Sequence, residues 1–180
     1  MARQKPNILV TGLPGVGKTT FIINLAKKLK DFSMAGFYTA EIREAGVRKG
    51  FELVSLDRRR SILSHVDIKS DFRVGRYGVD VKTFEAFLDS LGLAQSDADI
   101  LLIDEIGKME CHSNKFRRLI TSLLDSKKPL IATISLRSEA FISEIKRRPD
   151  VQVVELTAAN RECLATELAN SVRSLMESKI

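Results

Sequence analysis

The sequence predicts an α/β fold: a mostly parallel sheet flanked by helices, with an antiparallel hairpin inserted after the first helix. Three observations carry that prediction. Short β-branched or aliphatic runs alternate along the chain with segments whose apolar residues recur every three or four positions. The first of these runs leads through a glycine-rich loop straight into a helical segment. Two strand-like runs, residues 36–43 and 50–56, lie either side of the turn Glu44-Ala-Gly46.

Taken in order, Asn7-Ile-Leu-Val-Thr11 reads as a buried strand, and Gly12-Leu-Pro-Gly-Val-Gly-Lys-Thr19 fits the phosphate-binding pattern G-x-x-x-x-G-K-[ST]. Glycines at 12, 15 and 17 let successive backbone N–H groups curl round an anion without side chains in the way. Lys18 adds a positive charge for β- and γ-phosphates. Thr19 and Thr20 sit where a helix begins, so its dipole favours phosphate and the Thr19 hydroxyl is placed to reach a magnesium ion. That helix, about residues 18–29, carries Phe21, Ile22, Leu25, Ala26 and Leu29 on one stripe.

The hairpin insert spans about residues 36–66, with a third short strand at 61–65. If Phe37, Thr39, Glu41 and Arg43 share a face, a polar row is available to a nucleotide. Val81, Phe84, Phe87, Leu88 and Leu91 mark a second helix, and Gly92 is its stop. Ile100-Leu-Leu-Ile103 reads as a strand covered on both faces. A helix through Phe116, Leu119, Ile120, Leu123 and Leu124 follows, then a strand at 129–134 and a helix at 139–147. An edge-like strand at 151–156 and a final helix at 160–176 complete the order.

Asp104 and Glu105 end the strand that begins at Ile100. Ligands of open α/β sheets sit at the carboxyl ends of strands, so Asp104 is expected beside the glycine loop, sharing a magnesium ion with Thr19. Glu105 is then the candidate to orient or deprotonate a water attacking the γ-phosphate. Asp104-Glu-Ile-Gly107 also matches the D-x-x-G of switch GTPases, but no N-K-x-D guanine reader appears. The nearest stretch, Asn114-Lys-Phe-Arg117, has arginine where the aspartate belongs.

A chain of 180 residues, 44% hydrophobic and 29% charged, suits one domain over residues 1–180 with one substantial core. No apolar run is long enough to span a bilayer and none resembles a leader, so a cytoplasmic location without membrane association is expected. Cys111 and Cys163 form no C-x-x-C pair, and two histidines, His65 and His112, argue against zinc. The net charge of +6 suits polyanions, yet nucleotides are anions too. The basic clusters at 58–60, 115–118 and 146–148 lack interleaved aromatics, so nucleic acid is not the favoured partner. A monomer is expected.

Several motifs together resemble the small THEP-type nucleoside-triphosphatases, whose vertebrate member is called cancer-related nucleoside-triphosphatase. They are Gly36-Phe-Tyr-Thr-Ala-Glu-Ile-Arg43, Gly46-Val-Arg-Lys-Gly-Phe51, Val74-Gly-Arg-Tyr-Gly-Val79 and Asp104-Glu-Ile-Gly-Lys-Met-Glu110. The resemblance implies a RecA/AAA-like core and slow, magnesium-dependent hydrolysis of ATP, GTP, CTP and UTP to diphosphates. By position it implies phosphate binding by Gly12, Leu13, Pro14, Gly15, Val16, Gly17, Lys18, Thr19 and Thr20. Ile100, Leu101, Leu102, Ile103, Asp104, Glu105, Ile106 and Gly107 would line the opposite side, and Asn160-Arg161 the base pocket. Glu110 falls in the same block as a competitor to Glu105 or its support.

Lys108, just past Glu105, is the first candidate to neutralise charge on the γ-phosphoryl group, with Arg43, Arg48 and Arg137 as others. Two departures stand out. Ser135-Leu-Arg137 replaces a histidine followed by basic residues, and Cys111 replaces an aliphatic residue, a change expected to concern packing. Two alternatives use the same loop: a nucleotide or nucleoside kinase, and a nucleotide-gated module binding RNA or protein.

Overall fold

The computed structural model describes residues 7–137 and 139–177. Its elements are β1 (Asn7–Thr11), α1 (Lys18–Lys28), β2 (Met34–Glu44), β3 (Val47–Ser55), β4 (Arg60–His65), β5 (Arg73–Val74), β6 (Tyr77–Val79), α2 (Val81–Leu91), β7 (Ile100–Ile106), α3 (Asn114–Asp125), β8 (Leu130–Ile134), α4 (Ala140–Lys146), β9 (Val151–Glu155) and α5 (Arg161–Glu177). All nine strands join one sheet in the order β5-β6-β4-β3-β2-β7-β8-β1-β9. The pairings from β2 to β9 are parallel, and those from β2 outward to β5 are antiparallel.

The parallel half is a two-sided core, and strand alternation assigns each residue to its side. Ile8, Val10, Ile100, Leu102 and Ile131 pack with α1 and α5 through Phe21, Ile22, Leu25, Leu164 and Leu168. Leu9, Leu101, Ile103, Leu130 and Ala132 pack oppositely with α2, α3 and α4 through Phe84, Phe87, Phe116, Ile120 and Ile142. Because both faces are covered, these strands read as continuous apolar runs. Side chains cap the starts of α2 and α3. Asp80 Oδ1 accepts from the Thr83 amide at 2.9 Å, and Ser113 Oγ from the Phe116 amide at 3.0 Å.

The antiparallel half is the expected hairpin, carried further than the sequence suggests: β6 pairs with β4, and β5 with β6, extending the sheet to residue 79. Their two- and three-residue lengths leave no periodicity to read. β2 joins the halves, pairing with β7 through Met34 to Phe37 and with β3 through Phe37 to Glu44. Gly36 makes the junction possible: at φ +148 it faces Leu102, whose carbonyl would collide with any added Cβ. The row from Phe37 to Arg43 divides. Phe37 is fully buried in the core, and a bulge between Ile42 and Arg43 ends the alternation.

Candidate active site

The loops after β1, β7 and β8 emerge at the same end of the sheet, and the hairpin stands beside them. They enclose a cleft of about 510 Å³. Its floor is the glycine loop with Lys18, Thr19 and Thr20, except for Val16, which packs against the core, and its other walls are Thr39, Glu41, Arg48, Phe51, Glu105, Ser135, Leu136 and Arg137. Gly17, in a left-handed conformation at φ 96, is the N-cap of α1, so the first amides of that helix open toward the loop. Lys18 lies back across it, its Nζ 3.3 Å from the Gly12 carbonyl that accepts its hydrogen bond.

Asp104 is fully buried at the end of β7. A buried carboxylate needs partners, and threonines supply them from three elements. The Thr19 hydroxyl donates to Oδ2 at 2.7 Å from α1, the Thr39 hydroxyl to the same oxygen at 3.2 Å from β2, and the Thr133 hydroxyl to Oδ1 at 2.5 Å from β8. The Thr39 amide adds a long contact of 3.4 Å. The β7–β8 register shifts between Ile103 and Ile106, and Asp104 and Glu105, joined by a cis peptide bond, sit in that irregular step. Asp104 turns inward and Glu105 toward the cleft.

Glu105 Oε2 lies 3.8 Å from Lys18 Nζ. Burial raises the Glu105 carboxyl above its ordinary value, opposed by the Lys18 charge and reinforced by that of Asp104. Behind it stands Glu110, only 5% exposed. An added Gly107 Cβ would lie 2.9 Å from both Glu105 Oε1 and Glu110 Oε2, so the two carboxyl groups converge over this glycine. Burial first, and the Glu105 charge second, push the Glu110 carboxyl up to about 8. Near neutral pH the Glu110 carboxyl is thus held mainly in its uncharged form.

The expected site residues separate into those at the cleft and those behind it. Ile100, Leu101, Leu102 and Ile103 are buried in the two core faces and hold Asp104 in place from below instead of lining the cleft. Ile106 is likewise buried, and its carbonyl accepts from the Ser135 amide at 3.1 Å. Lys108 points away: its Nζ is 4.0 Å from Glu139, its side chain is mostly exposed, and it is absent from the cleft lining. Arg161 lines a neighbouring cavity of about 540 Å³ with Gly17, Thr20, Phe21, Asn24 and Lys27. The Asn160 side chain is spent on its own loop, accepting from the Thr157 amide and donating to the Glu155 carbonyl, both at 2.8 Å.

Sequence reasoning missed Thr133, although a lone hydroxyl within Leu130-Ile-Ala-Thr-Ile134 was a usable signal. It also missed Lys146, which donates to the Ser135 carbonyl at 2.6 Å and steadies the loop carrying Arg137. Cys111 is buried and its thiol is pushed up to about 12 by burial, in keeping with the expected packing role. Among the described residues no three His, Cys, Asp or Glu side chains converge as a metal cluster. The oxygen pair Thr19 and Asp104 nonetheless has the chemistry that magnesium accepts, since that ion is usually held by one or two protein oxygens together with substrate phosphates and water.

A family model described as NTPase matches residues 7–169. The nucleoside-triphosphatase THEP1 of Thermotoga sp. strain RQ2 is 44% identical over 167 residues, spanning 92% of this chain and 95% of that one. The crystal structure of THEP1 from the hyperthermophile Aquifex aeolicus superposes with a TM-score of 0.82 at 34% identity, covering 90% of this chain and 96% of that one. The solution structure of a human cancer-related nucleoside triphosphatase gives a TM-score of 0.79, also at 34% identity, with 93% and 97% covered. Matched over nearly its whole described length in sequence and in fold, the chain belongs to the NTPase family.

Proposed function

We propose that this protein hydrolyses nucleoside triphosphates to diphosphates and phosphate with magnesium as cofactor, accepting ATP, GTP, CTP and UTP. The observation that carries the reading is the placement of Glu105: in the cleft, 3.8 Å from Lys18, next to an Asp104 fixed on Thr19. The loop amides and Lys18 bind and orient the polyphosphate. Thr19 and Asp104 would hold the magnesium ion, which when bound neutralises charge shared by the β- and γ-oxygens. Glu105 accepts a hydrogen bond from the attacking water and aims it in line with the leaving oxygen. The cavity beside Gly17 and Thr20 is the proposed base pocket. Its walls include Lys27, Lys28 and Arg161, long donors able to adjust to either a purine or a pyrimidine, which supports broad base tolerance.

The test is phosphate release from the four triphosphates with magnesium and no acceptor, parent against Glu105→Gln. All four should be hydrolysed, and the variant should lose about 100-fold or more in kcat while retaining nucleotide affinity. Undiminished turnover in the variant would remove Glu105 from the chemistry. Diphosphate formed only when an acceptor hydroxyl is added, with the phosphoryl group on the acceptor and no free phosphate, would make the protein a kinase.

A further inference from the structure

If the cleft is a nucleoside-triphosphatase site, the reading on which this inference rests, a positive group must meet the charge that gathers on the γ-phosphoryl oxygens. Lys18 serves the β–γ side, and four further cations compete for the other. Lys108 is turned toward Glu139. Arg43 is locked to the hairpin turn: Nε and Nη2 donate to Glu41 and Nη1 to the Gly46 carbonyl. Arg137 and Arg48 both line the cleft.

Of these two, Arg48 is the one whose guanidinium is held ready. Nε donates to the Tyr77 hydroxyl at 3.0 Å and Nη1 to Glu41 at 2.9 Å. The guanidinium carbon lies 5.2 Å from the Phe51 ring centre and 5.7 Å from that of Tyr77. Arg76 braces the same arginine, donating to its carbonyl at 2.5 Å and to the Tyr77 hydroxyl at 3.2 Å. Two nitrogens and the ring contacts fix the plane, and among the described residues Nη2 has no protein acceptor. A planar donor anchored through Nε and Nη1, with Nη2 between them left to donate, suits an oxyanion.

We propose that Arg48 is a catalytic residue that donates from Nη2 to the γ-phosphoryl oxygens and stabilises the charge they carry in the transition state. As the water oxygen bonds to phosphorus, the bond to the bridging oxygen breaks. That oxygen keeps the electron pair and leaves with the diphosphate, and the water proton passes through Glu105 to solvent. Arg48 gives up no proton. The hairpin thus contributes an arginine from within the chain, and Tyr77 acts as its positioning residue.

The experiment measures kcat and KM for ATP with magnesium, and ADP affinity, in the parent, Arg48→Ala, Arg48→Lys, Arg137→Ala and Tyr77→Phe. Arg48→Ala should lose about 100-fold or more in kcat, with KM and ADP affinity within about threefold of the parent. Arg48→Lys should recover less than about a tenth of the parent rate, because an ammonium lacks the planar fork. Millimolar guanidinium should partly restore Arg48→Ala and leave Glu105→Gln unchanged. Tyr77→Phe should lower kcat by about tenfold, since the ring stays but the Nε acceptor goes. Parent turnover with Arg48→Ala within threefold of it overturns the proposal and leaves the hydrolase reading standing, as does a large loss confined to Arg137→Ala. So does an Arg48→Ala protein that loses ADP affinity along with rate and is not rescued by guanidinium. A parent that releases no phosphate overturns the hydrolase reading itself.

Discussion

Glu110 shows how one residue ties the chemistry of the cleft to the stability of the chain. Its folded carboxyl is pushed up to about 8, against an ordinary value of 4.5. Between those pH values the folded chain holds a proton that the unfolded chain has released, so stability falls as pH rises, by at most about 1.4 kcal/mol per unit. Above about pH 8 the loss is complete. Glu110→Gln keeps the shape and removes the titration, so its melting temperature should match the parent's near pH 4.5 and exceed it at pH 8.5. A gap that stays constant across that range would show that Glu110 ionises freely in the folded protein. Of the residues around it, Asp104, Glu105 and Lys18 were legible from spacing alone, because phosphate binding dictates which side chains follow a glycine loop and a buried strand. Thr39 and Thr133 were not assigned as partners of Asp104. Their pairing depends on which strand lies beside which, and two threonines separated by most of the chain carry no local mark of it.

At the scale of elements, β2 is the piece on which the most depends. Its first half belongs to the parallel core, and its second half carries Thr39 and Glu41 into the cleft. Both roles pass through Gly36, where a Cβ would drive into the Leu102 carbonyl on β7. Gly36→Ala should therefore cost at least about 2 kcal/mol in urea unfolding, through strain at φ +148 and a broken β2–β7 ladder. A cost below about 0.5 kcal/mol would mean that the junction flexes freely. The helices and the long strands were readable because each buries a stripe or a face with its own period. The paired strands β5 and β6 were not, being too short for any period and recruited by pairing with β4.

For the whole molecule, the cleft exists because the sheet order brings loops from β1, β7 and β8 to one end while the hairpin closes the side. The structure holds Asp104 on threonine hydroxyls from three elements. Chelating divalent metal should thus leave the melting temperature of the nucleotide-free protein unchanged. A non-hydrolysable ATP analogue with magnesium at 100 times its Kd should raise it by about 5–10 °C, from about 2.7 kcal/mol of binding linkage. Chelation should abolish most of that rise. A drop in the nucleotide-free protein on chelation would make the metal structural.

The sequence by itself determined the α/β class, the glycine loop and the acidic pair at the end of β7. Each of these is written in neighbouring residues, as periodicity or as the spacing that phosphate chemistry requires. Only the tertiary structure decided that Ile100 to Ile103 support the site from within the core, that Lys108 faces Glu139, and that Arg48 stands in the cleft with its guanidinium anchored through Nε and Nη1. Those outcomes depend on strand order, register and the direction of side chains brought together from distant parts of the chain. Neither periodicity nor spacing records them.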